Sequence, residues 1–116
     1  MKYILLIYEN EKLWEQASRD EMERVYAEHG AYGEAMAQAG VMRGGAELKP
    51  TSTATTIRFD GGKPKTLDGP FAETKEQLGG YYVIEVDSLE QAIEWAEKMP
   101  AMRNGAVEIR PLGEEG

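Results

Sequence analysis

The sequence predicts an α+β fold: a ferredoxin-like split β-α-β sheet that carries a β-hairpin insertion. Three observations lead there. The segments 2-KYILLIY-8 and 81-YYVIEV-86 are apolar on both or nearly both faces, as strands at the centre of a covered sheet are. An amphipathic helical pattern follows each of them, opened by a serine with Glu or Gln three residues on. Between the two halves, 53-TATTIRF-59 runs into Asp60-Gly61-Gly62, a hairpin turn signal. The order is β-α-β, hairpin, β-α-β, and right-handed crossovers then place both helices on one face of the sheet.

Taken in order, Tyr3, Leu5 and Ile7 point to one face of the first strand and Ile4, Leu6 and Tyr8 to the other. Residues 9 to 17 read as a charged connector, with Leu13 and Trp14 as a packing point. Ser18 and Glu21 have capping-box spacing, and Met22, Val25, Tyr26, His29, Tyr32 and Met36 form one apolar stripe up to Gly40, a natural helix stop. Residues 41 to 48 read as a second strand weakened by Gly44-Gly45. The hairpin returns through Lys65 to Leu67, and Asp68-Gly69-Pro70 turns the chain again. Gly79-Gly80 precedes the second doubly apolar strand. Ser88 and Gln91 then open a helix whose stripe is Leu89, Ala92, Ile93, Ala96 and Met99, stopped by Pro100. In 106-AVEIRPL-112 apolar and charged residues alternate as in an edge strand, and 113 to 116 read as a short acidic tail.

The whole chain of 116 residues reads as one domain, 1-116, of globular composition: 41% apolar, 29% charged. The net charge of −8 repels phosphate backbones and argues against nucleic acid as a partner. The absence of cysteine excludes disulfides and thiol chemistry, and with one histidine a zinc site would need carboxylates for its other ligands. Gly44-Gly45 lacks the spacing of a nucleotide loop, so no cofactor is expected. The longest apolar run, Tyr3 to Tyr8, is too short for a bilayer, and glutamates follow it where a signal peptide would continue; the expectation is a soluble, cytoplasmic protein with no membrane partner. Two helices cover only one face of the sheet. The other face carries half the apolar residues of both central strands, which predicts a homodimer packed sheet against sheet.

The run 68-DGPFAETKE-76 resembles the signature of the DGPF proteins, a branch of the YCII-related family. Gly40, Gly44, Leu48 and Pro50 upstream fit the same pattern, as do Gly79-Gly80-Tyr81, the segment from Asp87 to Pro100, and 107-VEIRP-111 downstream. The resemblance covers nearly the whole chain. It implies a dimeric α+β barrel and an association with extracytoplasmic-function sigma factors, and it fixes no reaction. In YCII proteins proper it implies a His–Asp pair in a cleft, and His29 falls at the histidine's place. The Asp-Pro motif of those proteins is Met99-Pro100 here, so Asp68 would stand in for the aspartate.

Two readings stay open at each candidate residue. His29 is either a half-buried histidine donating to a backbone carbonyl or a general acid/base. Asp68 either starts a turn or joins that chemistry. Glu73, beside Phe71 and Ala72, either lines a pocket with a raised pKa or forms a structural ion pair. Tyr3, Tyr8, Tyr81 and Tyr82 are core or ligand-orienting phenols, Phe71 is a candidate ligand contact, and Arg43 either meets an anionic ligand or forms a surface ion pair. The leading expectation is a small-molecule enzyme or binder with catalytic His29, Asp68 and Glu73 in a dimer cleft and ligand contacts from Tyr8, Arg43, Phe71 and Tyr81. The rival is a non-catalytic accessory protein that senses a ligand or contacts a sigma factor.

Overall fold

The structure, a computed structural model, describes residues 1–113. β1 (Lys2–Glu9) leads into a short helix α1 (Glu11–Glu15) and a long helix α2 (Arg19–Gln38). After β2 (Met42–Glu47) and a 3-10 turn (Thr51–Thr53) come the hairpin strands β3 (Thr55–Asp60) and β4 (Lys63–Asp68). β5 (Gln77–Glu85), α3 (Leu89–Glu97) and β6 (Ala106–Pro111) complete the order. The tail expected from 113 to 116 lies, from 114 on, outside the described residues.

The main sheet has four strands in the order β2-β5-β1-β6, every neighbouring pair antiparallel. The two doubly apolar strands are thus adjacent at its centre, as the split β-α-β pattern requires. Tyr3 pairs with Ile84 and Leu5 with Tyr82, so these four residues share one face. Against that face lie Tyr32 and Met36 from α2 and Ala92 from α3, together with Met99; with Tyr3, Leu5, Ile84 and Val86 they form the buried core. The Tyr32 hydroxyl donates to the carbonyl of Trp95 at 2.5 Å, tying α2 to α3, and burial pushes its pKa above the ordinary phenol range.

Both serine caps form. Ser18 accepts from the Glu21 amide at 3.1 Å and Ser88 from the Gln91 amide at 3.3 Å. The return bonds differ from the expected box. Gln91 reaches the Asp87 amide, while Glu21 pairs with Arg103 and fixes the start of α2 to the loop before β6.

Two expectations change, and the hairpin takes a position of its own. Residues 9 to 17 are not a plain connector, because Asn10 accepts from the Lys12 amide and starts α1. β5 begins at Gln77 rather than at Tyr81. Its register with β1 shifts between Ile7 and Tyr8, and this irregularity takes in Gly79 and keeps the glycine pair inside the strand. The hairpin does not fold over the open face. β3 and β4 form a sheet of their own, with Ile57 at 56% and Phe59 at 71% exposure. The radius of gyration is 16.1 Å, against about 13 Å for a compact chain of this length.

The sheet does not close on itself; β2 and β6 are its edges and no barrel forms within the described residues. On the face away from the helices, Ile4 pairs with Val83 and Leu6 with Tyr81, and all four are only half-buried.

Ser18→Ala is expected to cost about 1 kcal/mol, read as a lower urea midpoint, because the Glu21 amide loses its acceptor. An unchanged midpoint would mean that water serves that amide equally well.

Candidate functional site

Near the end of the sheet where β1 finishes and β5 begins, side chains are missing from the helix-facing surface. Gly80 stands opposite Ile7 and Gly45 opposite Tyr82. A Cβ built on Gly45 would lie 2.9 Å from the Tyr81 carbonyl oxygen and 3.0 Å from the Tyr82 ring, and one on Gly80 would lie 3.1 Å from the Ala46 carbonyl oxygen. No side chain fits at either position without displacement. Gly30 removes a third side chain, from α2. The volume these residues leave is a cavity of about 690 Å³, closed on one side by Trp14 of α1 and on the other by Met22, Val25 and His29 of α2.

His29 opens into this cavity. Its Nδ1 lies 2.8 Å from the Tyr82 hydroxyl, and the two rings stack with planes 14° apart. Tyr32 meets the Tyr82 ring edge-on at 5.3 Å between centroids and locks it from the core side. Burial holds the His29 pKa below its ordinary 6.5, although Glu28 and Glu47 pull the other way. Burial also pushes the Tyr82 phenol up. Both shifts favour a neutral pair at pH 7, with an imidazole ready to accept a proton and a phenol that keeps one. Beside the pair, the Tyr26 hydroxyl donates to Glu47 Oε1 at 3.3 Å, and the Glu47 charge raises the phenol's pKa. Glu9, at the end of β1, has a pKa raised by burial, opposed by the Arg103 amide, by Trp14 and by the Arg103 charge. Ala101 completes the wall in a left-handed conformation, φ 61°, that only a constrained non-glycine residue adopts.

The predicted site residues divide. His29 lines the cavity, and Tyr81 borders it from β5 while its side chain alternates to the open face. Tyr8 lies on the opposite face, where its hydroxyl donates to Glu108 at 3.1 Å. Arg43 donates to Glu85 at 2.9 Å, the surface ion pair left open as one reading, and Arg110 does the same with Glu108. Asp68 ends β4 in an exposed position opposite Thr55. Phe71 is 71% exposed, with the Arg58 guanidinium 5.9 Å from its ring centre. The local burial expected around Glu73 is therefore absent, and Glu73 is exposed without an ion pair among the described residues. Neither Asp68 nor Glu73 lines the cavity that holds His29.

The segment from Asp68 to Gln77 has a visible positional role instead. The Gly69 amide donates to the Ala54 carbonyl at 2.7 Å and Thr56 donates to the Gly69 carbonyl at 2.7 Å, which closes the hairpin's base. At the other end, Gln77 accepts from the Glu11 amide at 2.9 Å, and the Glu11 carboxylate accepts from the Thr51 amide and hydroxyl at 2.7 and 2.8 Å. These bonds hold α1, and with it Trp14, over the cavity.

Tyr82, Glu47 and Glu9 were not among the predicted site residues. Tyr82 is one of the tyrosines whose sequence reading stays open between core and ligand contact, because a doubly apolar strand fits either. The available signal was the spacing of Tyr26 and His29 on one helical stripe, which aims two polar-tipped rings at whatever strand faces them.

The YCII-related domain matches this sequence over residues 1–115. The chain belongs to the YCII-related family. One relative, described as the uncharacterized protein R00369 of Rhizobium meliloti (strain 1021), is similar to it: 39% identical over 114 residues, covering 97% of this chain and 92% of that protein. Among the described residues of this YCII-related chain, no helix is long and apolar enough to cross a membrane.

The chain has a single histidine, so its titration is unambiguous. The His29 ring resonances are expected to titrate below pH 6.5. Because the unfolded chain takes up that proton at the ordinary value and the folded chain only at a lower one, the associated stability is complete above about pH 6.5 and is lost as pH falls through the folded value. Wild type minus His29→Gln, measured by urea unfolding across that window, should show this slope. A His29 that titrates above the ordinary value would contradict the neutral pair.

Proposed function

We propose that this YCII-related protein is a small-molecule enzyme or binder whose ligand occupies the cavity between α1, α2 and the end of the sheet. His29 and Tyr82 act there as the proton-handling pair. The observation that carries this reading is the 2.8 Å contact between His29 Nδ1 and the Tyr82 hydroxyl at the wall of a 690 Å³ cavity. A volume of this order suits a small organic molecule. With Tyr82 donating to Nδ1, the ring carries its proton on Nε2; with Nδ1 protonated, the phenol keeps a free O–H. In either tautomer the pair offers one donor and, after transfer, one acceptor. Asp68 and Glu73 have no part in this chemistry within one chain.

The test is a ligand-observed NMR screen of small organic molecules. Hits are expected to shift the His29 ring, to persist in Asp68→Asn and to be lost in Gly30→Leu. A Cβ on Gly30 meets nothing within 4 Å, so the larger side chain fills the cavity without a clash at its root. Hits that bind equally well to Gly30→Leu would refute the site. Conversion of a hit that stops in His29→Gln while binding continues would assign catalysis. Binding without conversion would favour the ligand-sensing role, with or without a sigma factor.

We also propose that the protein is a cytoplasmic member of the DGPF-type branch and a homodimer that closes as an α+β barrel. The half-buried Ile4, Leu6, Tyr81 and Val83 on the open face, the hairpin that stands off its own body and the enlarged radius of gyration support the dimer. Sedimentation at micromolar concentration should give twice the chain mass. A monomer under those conditions would remove the barrel.

A further inference from the structure

The charge on the cavity wall has one sign. Among the described residues, Glu9, Glu11, Glu15 and Glu47 line it, and no lysine or arginine does. Arg103 comes near: its guanidinium lies 4.6 Å over the Trp14 ring, is paired with Glu21 and offsets part of the Glu9 charge, which leaves Glu15 and Glu47 without a cationic partner among the described residues. The only histidine adds no compensating charge at pH 7, since burial keeps its ring neutral. Glu11 is engaged by neutral donors from Thr51, which leave its charge in place. Between the carboxylates stand aromatic surfaces, Trp14, Tyr26 and Tyr82 among them. Aromatic faces with neighbouring carboxylates attract an organic cation, by ring quadrupole and by direct charge. An anion of the same shape meets a surplus of like charges.

We propose that the cavity selects organic ammonium ions, protonated or quaternary amines on an apolar body, over neutral and anionic molecules of the same shape. The charged group lies on the side of Glu47 and Tyr26, and the apolar body lies against Trp14 and the glycine floor. This rests on the reading that the cavity holds a small molecule, and it names the class of that molecule. Glu47 is the specificity-determining group. It ends β2 beside the His29–Tyr82 pair; among the described residues its carboxylate accepts one hydrogen bond, from the neutral Tyr26 hydroxyl, and has no ion pair.

The experiment compares matched probes on the full chain: phenethylamine and benzyltrimethylammonium against 2-phenylethanol and phenylacetate. The His29 ring signals and the Trp14 indole N–H report binding, and Trp95, outside the cavity, serves as the internal control. The ammonium probes are expected to bind about tenfold or more tightly than the alcohol, with the carboxylate weakest. Glu47→Gln should reduce the ammonium preference several-fold and leave the alcohol unchanged. Independently of any variant, raising the salt concentration should weaken only the ammonium probes. If the alcohol or the carboxylate binds as well as the amines at the His29 wall, the ammonium assignment is overturned and the small-molecule site stands. A preference that survives both Glu47→Gln and high salt also overturns it. If no probe moves His29 or Trp14 at millimolar concentration, both readings fall.

Discussion

The antiparallel pairing of β1 with β5 sets Leu5 opposite Tyr82 and Ile7 opposite Gly80, and nearly everything at the cavity follows from that register. A strand's side chains alternate, so a slip by one residue would turn Tyr82 to the open face and Tyr81 toward α2. The His29 contact and the lock by Tyr32 would both be lost. The register is held because the same slip would expel Ile84, which has no exposed surface, from the core beside Leu5. Core packing and site geometry are thus one constraint. The irregularity between Ile7 and Tyr8 falls where the pairing passes from the packed part of the sheet to the hollow part.

That hollow is built by omission. Gly45 and Gly80 leave the floor bare where a strand facing helices would ordinarily carry side chains. Gly30 interrupts a helix that would be more stable with alanine there. These departures from good packing all lie around the one histidine. Removing side chains keeps the cavity open, and the surrounding apolar atoms strip water from His29 and Tyr82. The same desolvation that lowers one pKa and raises the other keeps the pair neutral, which is the state a proton relay needs at rest.

The acidic run from Asp68 to Glu76 invites a catalytic reading because several charged residues crowd beside a buried strand. In the folded chain Asp68, Glu73 and Lys75 stay in solvent, Glu76 is half-buried, and the backbone works as a brace. Gly69 and Thr56 close the hairpin, and Gln77, Glu11 and Thr51 anchor α1 across the cavity mouth. Phe71 and Phe59 remain exposed at the far side, where a second chain in the proposed barrel would find them.

The sequence by itself determined the order of the strands and the two long helices, the two central strands and the serine caps. These depend on side-chain period and local hydrogen bonding, and both can be read within a few residues. It also marked His29, through a stripe on α2 that places Tyr26 and His29 on one side. It did not reveal that α1 forms, that β5 starts at Gln77, or that the partner of His29 is Tyr82 rather than a carboxylate. Those outcomes rest on contacts between residues far apart in the chain. Glu11 reaches Gln77 and Thr51, and His29 reaches Tyr82 across the gap between a helix and a strand. A tyrosine in a doubly apolar strand reads as core whether its hydroxyl ends in packing or in a cavity. Only the tertiary structure shows the empty volume next to it, because a cavity is made by side chains that are absent from several elements at once.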